Sequence, residues 1–195
     1  EVQDAPLYAE TWIRDGGTLP GTHEFDRLVD AWLDDFEARG VKAIGFGYMT
    51  LRRPAEGKPT LRRLERLDGT LGVDGTGLAA TLAAGLSTHD WQRARTDDEL
   101  AGAVLQVAGD VTEERHYWPG DDDPTVMTLR QGGGFARSLA LDTALAALVG
   151  ACDGELSVAA IIATLAQLLE VDEGVLRAEL LPRIRELLVT GFLRP

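Results

Sequence analysis

Three amphipathic segments near the C-terminus constrain this 195-residue chain most. Leu141, Leu145, Leu148 and Val149 mark the apolar side of a first helix. Val158, Ile161, Ile162, Leu165 and Leu168 mark a second, headed by Ser157. Leu176, Leu180, Ile184, Leu187 and Leu188 mark a third, headed by Asp172. Spacings of three and four residues put each set on one helical face, and Ser or Asp ahead of the first turn can accept amide hydrogens that lack a helical partner. Gly191 stops the third helix, and Phe192-Leu193 reads as a short closing strand. Three apolar faces joined by short loops must bury one another, so residues 138–195 are expected to fold as one module.

The residues before it read as mixed structure. Residues 78–86 and 97–100 suit short helices, and residues 103–107 and 125–130 suit strands. Residues 113–119 form a strand end, followed by an acidic turn, Gly120-Asp121-Asp122-Asp123-Pro124. If the closing strand pairs beside residues 125–130, the three helices and their strands take a winged-helix layout.

Glycine and small polar residues dominate residues 69–77, which reads as a linker. Ahead of it, Asp4 and Pro6 suit the start of a helix over residues 5–14, with Tyr8 and Trp12 on one face and Gly16-Gly17 at its end. Phe25, Leu28, Val29, Trp32, Leu33 and Phe36 define a second helix, closed by Gly40. Residues 41–52 have strand composition, with Ile44, Phe46, Tyr48 and Thr50 on one face. Ala43, Gly45, Gly47, Met49 and Leu51 lie on the other, so both faces are mostly apolar, as in a strand covered on both sides. Residues 60–67 read as a returning strand through Leu61, Leu64 and Leu67. Such a hairpin cannot cover both its faces alone, which implies further sheet elements. The start at Glu1, without an initiator Met, suggests a chain cut from something longer. The predicted class is α+β: N-terminal helices plus a β-hairpin over residues 1–68, a linker over 69–77, and an α+β domain over 78–195 that ends in the winged-helix-like module.

Charge narrows the partners. Nineteen Lys and Arg against 32 Asp and Glu leave a formal charge of −13, which repels phosphate backbones and anionic lipid. One basic stretch stands out, Arg52, Arg53, Lys58, Arg62, Arg63 and Arg66, diluted by Glu56 and Glu65, and it reads as a solvated hairpin face. Residues 138–195 carry four arginines against eight acidic residues, which argues against DNA as the partner of a winged helix. No run approaches the roughly 18 apolar residues of a membrane span, and no signal pattern opens the chain. The single cysteine, Cys152, fits a reducing cytoplasm and core packing.

Motifs for chemistry are sparse. His23, His89 and His116 lie in different elements and share no metal-ligand spacing with Cys152. Asp121-Asp122-Asp123 lacks the alternation and terminal Glu of a calcium loop. Gln131-Gly132-Gly133-Gly134-Phe135 lacks the Lys-Ser/Thr of a phosphate-cradling loop and reads as a hairpin turn, and no Gly-x-Ser-x-Gly elbow occurs. No catalytic, cofactor-binding or metal-ligating residue is therefore assigned. The cluster His116, Tyr117 and Trp118 reads either as an aromatic pocket or as a packed knot under a loop, and Tyr48 is a further candidate contact residue.

Residues 2–15 (VQDAPLYAETWIRD), 32–36 (WLDDF) and 45–53 (GFGYMTLRR) resemble the C-terminal portion of large actinobacterial class I methyltransferases, which are similar to the release-factor glutamine methyltransferases. The likeness continues through residues 141–192. In that family the S-adenosylmethionine loop and an Asn-Pro-Pro-Tyr substrate motif come earlier, and neither occurs here. The resemblance thus implies a cofactor for an N-terminal methyltransferase domain and none for this chain. It also implies that residues 41–67 are the last two strands of that domain's sheet, leaving apolar surface open when alone. The final module separately resembles the peptide-binding winged-helix domain of pyrroloquinoline-quinone biosynthesis, through residues 141–148, Asp153-Gly154, the Ser157-capped helix and Gly191-Phe192-Leu193. Three functions follow as expectations: a non-catalytic region that positions a protein or peptide substrate, a stand-alone peptide-binding module, or a structural cap.

Overall fold

Asp4 opens the structure, a computed structural model that describes residues 2–54, 57–67, 69–73, 75 and 77–195. Its carboxylate accepts the Leu7 amide hydrogen at 2.8 Å and starts helix α1 (Ala5–Asp15), with Pro6 in the first turn where no amide hydrogen is needed. Thr22 does the same for Phe25 at the head of α2 (His23–Ala38). The two helices close over Ala9, Ile13, Phe25 and Phe36, with Tyr8, Trp32 and Leu33 packed around them. Strand β1 (Val2–Gln3) pairs antiparallel with β2 (Ile44–Gly45). These elements make up the first of two compact units, Glu1–Arg62 and Arg63–Pro195.

The expected hairpin over residues 41–67 is corrected by the structure. Only Ile44–Gly45 is strand, and residues 60–67 hold none. Among the described residues the partner available to residues 41–52 is two residues long, so main-chain pairing stops there. Met49, Leu51 and Leu64 are left at least 86% exposed.

In the second unit α3 (Leu78–Arg93) is longer than expected. It is followed by α4 (Asp97–Ala101), where Thr96 and Glu99 form a reciprocal capping box. Two antiparallel sheets come next. One is the meander of β4 (Val111–His116), β5 (Val126–Gln131) and β6 (Ser138–Leu141), in that order. The other places β3 (Val104–Val107) between β7 (Asp153–Ser157) and β8 (Leu193–Arg194). The three C-terminal helices are α5 (Thr143–Gly150), α6 (Val158–Leu168) and α7 (Glu173–Thr190). Ser157 and Asp172 cap α6 and α7 as their positions predict, while Asp142 caps α5. With seven helices and eight short strands among the described residues, the class is α+β.

One aliphatic core joins these pieces. Leu148, Val158, Leu180, Ile184 and Leu188 are fully buried, together with Leu100, Leu105 and Leu129 from the elements before them. Cys152 lies in that core, where burial, aided by the Asp153 carboxylate, pushes its thiol up to about 11. Arg185 of α7 donates to the carbonyls of Gln92 and Arg95 at 2.7 and 3.0 Å and to Asp97 at 2.7 Å. It thereby supplies hydrogen bonds that the end of α3 lacks.

The closing strand does not lie beside residues 125–130. Gly191, left-handed at φ 86°, turns the chain so that the Phe192 amide hydrogen returns to the Leu187 carbonyl. Leu193 then pairs with Val107 of β3. Both edges of β5 are already taken, by β4 and β6.

The unit boundary falls before the glycine-rich stretch. Gly72 and Val73 donate to the carbonyls of Gly134 and Gly132, both at 3.0 Å. A Cβ on Gly72 would sit 2.4 Å from the Gly133 carbonyl carbon, so glycine is what allows the two backbones to approach.

Candidate functional site

Strands β4 and β5 stay in register from Val111 opposite Gln131 to His116 opposite Val126. Leu129 of β5 is buried in the core, whereas the residues at the far end of the hairpin, Tyr117, Trp118 and Val126, are exposed. The sequence there, Trp118-Pro119-Gly120-Asp121, meets the needs of a type II turn. Proline holds the first central position, and glycine takes the positive φ of 96° at the second. The Asp121 amide hydrogen returns to the Trp118 carbonyl at 3.1 Å, and the Thr125 amide hydrogen closes the loop on the His116 carbonyl at 2.8 Å. The loop is thus pinned at its base and at its turn.

His116, Tyr117, Trp118, Thr125 and Val126 line a pocket of about 240 Å³ at this end. Trp118 is 67% exposed and Tyr117 49%. The alternative of a packed knot under a loop is corrected: among the described residues these two rings are left exposed. The volume falls below the roughly 300–1,000 Å³ usual for small-molecule pockets and suits one side chain.

Charges are ordered along the hairpin. Glu113 and Arg115 pair at 2.8 Å on one face of β4; on the other, Glu114 holds Arg130 of β5 at 2.8 Å and faces His116 Nε2 at 3.9 Å. The hydrogen bond that Arg115 donates to Glu113 raises its guanidinium above its ordinary value. Charged side chains along an edge strand discourage further strand pairing there. Asp121, Asp122 and Asp123 are exposed on the pinned loop, and no ion pair among the described residues engages them.

Tyr48, the fourth residue singled out, belongs to the first unit and is exposed on the extended stretch after β2. It does not line the pocket.

A second polar cluster surrounds Glu65. Arg63 pairs with Glu65 and with Glu186 of α7, and Arg137 donates to Glu65 at 2.7 Å. Partial burial opposes ionisation of Glu65, but the hydrogen bonds from Arg63 and Arg137 outweigh it and hold the carboxyl down to about 2. Gln131 donates to the Thr190 carbonyl at 2.8 Å beside them. Sequence reading placed Arg63 on a solvated face, because its partner Glu186 lies 123 residues away. This cluster is balanced in charge and ties the Gly72 strap to the end of α7.

Among the described residues no group of three His, Cys, Asp or Glu could hold a metal ion, and no helix is long and apolar enough to cross a membrane. The family described as Domain of unknown function (DUF7782) matches residues 83–195, more than half of the chain. The chain belongs to this family. None of the curated proteins or solved structures matches it. The family segment begins within α3 and contains the hairpin-end pocket, Arg137 and the three C-terminal helices; the first unit and the Gly72 strap precede it.

Proposed function

We propose that this chain is the non-catalytic, partner-positioning region of an S-adenosylmethionine-dependent methyltransferase, its second unit closed by three helices and a last strand that returns to β3. The observation that carries this reading is the hairpin end, where two exposed rings flank a side-chain-sized concavity on a pinned loop. Exposed aromatics on a rigid support are what protein-recognition surfaces use, since their contact area costs little conformational entropy.

The methyltransferase context rests on the resemblance in residues 2–15, 32–36 and 45–53. Exposure of Phe46, Tyr48, Met49 and Leu51 supports it, because an extended apolar stretch of this kind suits the seam of a larger sheet. The partner at that seam is an N-terminal methyltransferase domain, which supplies the cofactor site. Against DNA stand the arginines of α7: Arg177 pairs with Asp98, Arg183 with Asp142, and Arg185 with Asp97, so they serve the fold. A cytoplasmic setting agrees with the single buried cysteine.

Calorimetric titration of the 195-residue chain with S-adenosylmethionine is expected to give no heat of binding; micromolar affinity would overturn the assignment. In the longer protein that the resemblance implies, deleting residues 78–195 should leave cofactor binding intact and abolish methylation of the macromolecular substrate. Unchanged substrate methylation after that deletion removes the positioning role.

A further inference from the structure

The hairpin end is acidic as well as aromatic. Residues 110–131 carry six carboxylates and two arginines; Arg130 pairs with Glu114, and Arg115 pairs with Glu113 and also reaches the Tyr117 hydroxyl, which leaves the Trp118 ring as the one without a cation of this hairpin beside it among the described residues. Asp121, Asp122 and Asp123 remain on the same eight-residue loop as Tyr117 and Trp118, whose ends are held by the Thr125–His116 hydrogen bond. Aromatic faces carry negative potential and attract a cation placed over them, most strongly where the ring is Trp or Tyr. Exposed carboxylates on the same loop, in no ion pair among the described residues, raise the local concentration of cations and favour their approach.

We infer that the pocket formed by His116, Tyr117, Trp118, Thr125 and Val126 receives a cationic side chain, Lys or Arg, from a protein partner, with Asp121, Asp122 and Asp123 as its electrostatic rim. The inference rests on the partner-positioning reading and names the chemistry of the segment that is positioned. The pocket takes the aliphatic stem, the ring faces meet the charged head, and the rim repels acidic segments. An aromatic pocket without the rim would accept Leu or Phe equally well; here a neutral residue gains nothing from three carboxylates.

The test uses the intact chain and a hexa-arginine peptide, followed through the Trp118 indole Nε1–H signal and by calorimetry. Saturable movement of that signal is expected, and replacing arginine by citrulline, which keeps the shape and removes the charge, should abolish it. Tyr117→Ala with Trp118→Ala should weaken calorimetric binding about tenfold. The triple change Asp121→Asn, Asp122→Asn and Asp123→Asn should weaken it several-fold. The same change at Asp15, Asp30 and Asp34 in the first unit should leave it unaltered. Equal loss from both sets of Asp would mean general attraction to an acidic chain and would overturn the inference, as would equal binding of the citrulline peptide or no binding of either. Those results leave the partner-positioning reading standing, since deletion of residues 78–195 decides that separately.

Discussion

The two units reach stability by different routes. Among its described residues the first buries the side chains of Ala9, Ile13, Phe25 and Phe36 and covers them with rings: Tyr8 lies 5.8 Å from Trp32 and 6.0 Å from Phe46. The second has an aliphatic core drawn from helices and both sheets, with its polar groups tied by Arg185 and the Glu65 cluster. A small core has little to offset the chain entropy lost on folding, so the first unit depends on each ring, whereas the second spreads its burial over many positions. What the comparison teaches is where outside help is needed. The unit with the small core also carries the exposed apolar stretch, and the unit with the large core carries the polar loop and pocket.

Emptying each core should separate the two most sharply. Phe36→Ala is expected to cost about 3–5 kcal/mol and to abolish α1 and α2 while α6 and α7 remain protected in hydrogen exchange. Leu180→Ala, fully buried on α7, should cost about 2–5 kcal/mol in urea unfolding of the second unit, which stays folded. Loss of both units from either change would break the comparison. Next in size, Gly72→Ala should destabilise the second unit by about 1–3 kcal/mol, since the new Cβ meets the Gly133 backbone and one strand of chain must move. Protease cleavage near residue 72 would report it.

Glu65 gives the pH test. Its carboxyl is held below its ordinary value, so the stability it contributes is present above the unfolded value, about 4.5, and is lost as pH falls from there to about 2. Glu65→Gln should therefore lower the melting temperature near neutral pH and flatten the decline across that window, with no change in the first unit. The smallest effect is expected from Met49→Ser: at an exposed position, stability of the chain alone should move by no more than about 0.5 kcal/mol. A large loss there would mean that the extended stretch is already packed in this chain, against the seam reading.

Much of the fold was legible from local rules. The apolar spacing of Phe25 to Phe36 and of the three C-terminal helices, with caps at Asp4, Ser157 and Asp172, predicted helices that are present. Those signals act within one or two helical turns, so they can be read from a short stretch of chain. The strands were less legible. Residues 41–52 have strand composition, yet a strand exists only where a partner supplies hydrogen bonds, and Val2–Gln3 supplies two residues of it. Ser138–Leu141, just before the first C-terminal helix, went unread as a strand because it is short and lies next to a helix with similar residues. For the candidate site, His116, Tyr117 and Trp118 were visible as neighbours in sequence, but whether the rings were covered was not.

The sequence by itself determined most of the helices, the caps at Asp4, Ser157 and Asp172, and the acidic balance, because each depends on composition or on residues a few positions apart. Tertiary structure alone decided that Leu193 joins β3, that Arg63 finds Glu186, and that the rings at the hairpin end are exposed. Those outcomes depend on which distant surfaces meet, and a pairing between residues 86 or 123 positions apart leaves no periodic mark in the chain.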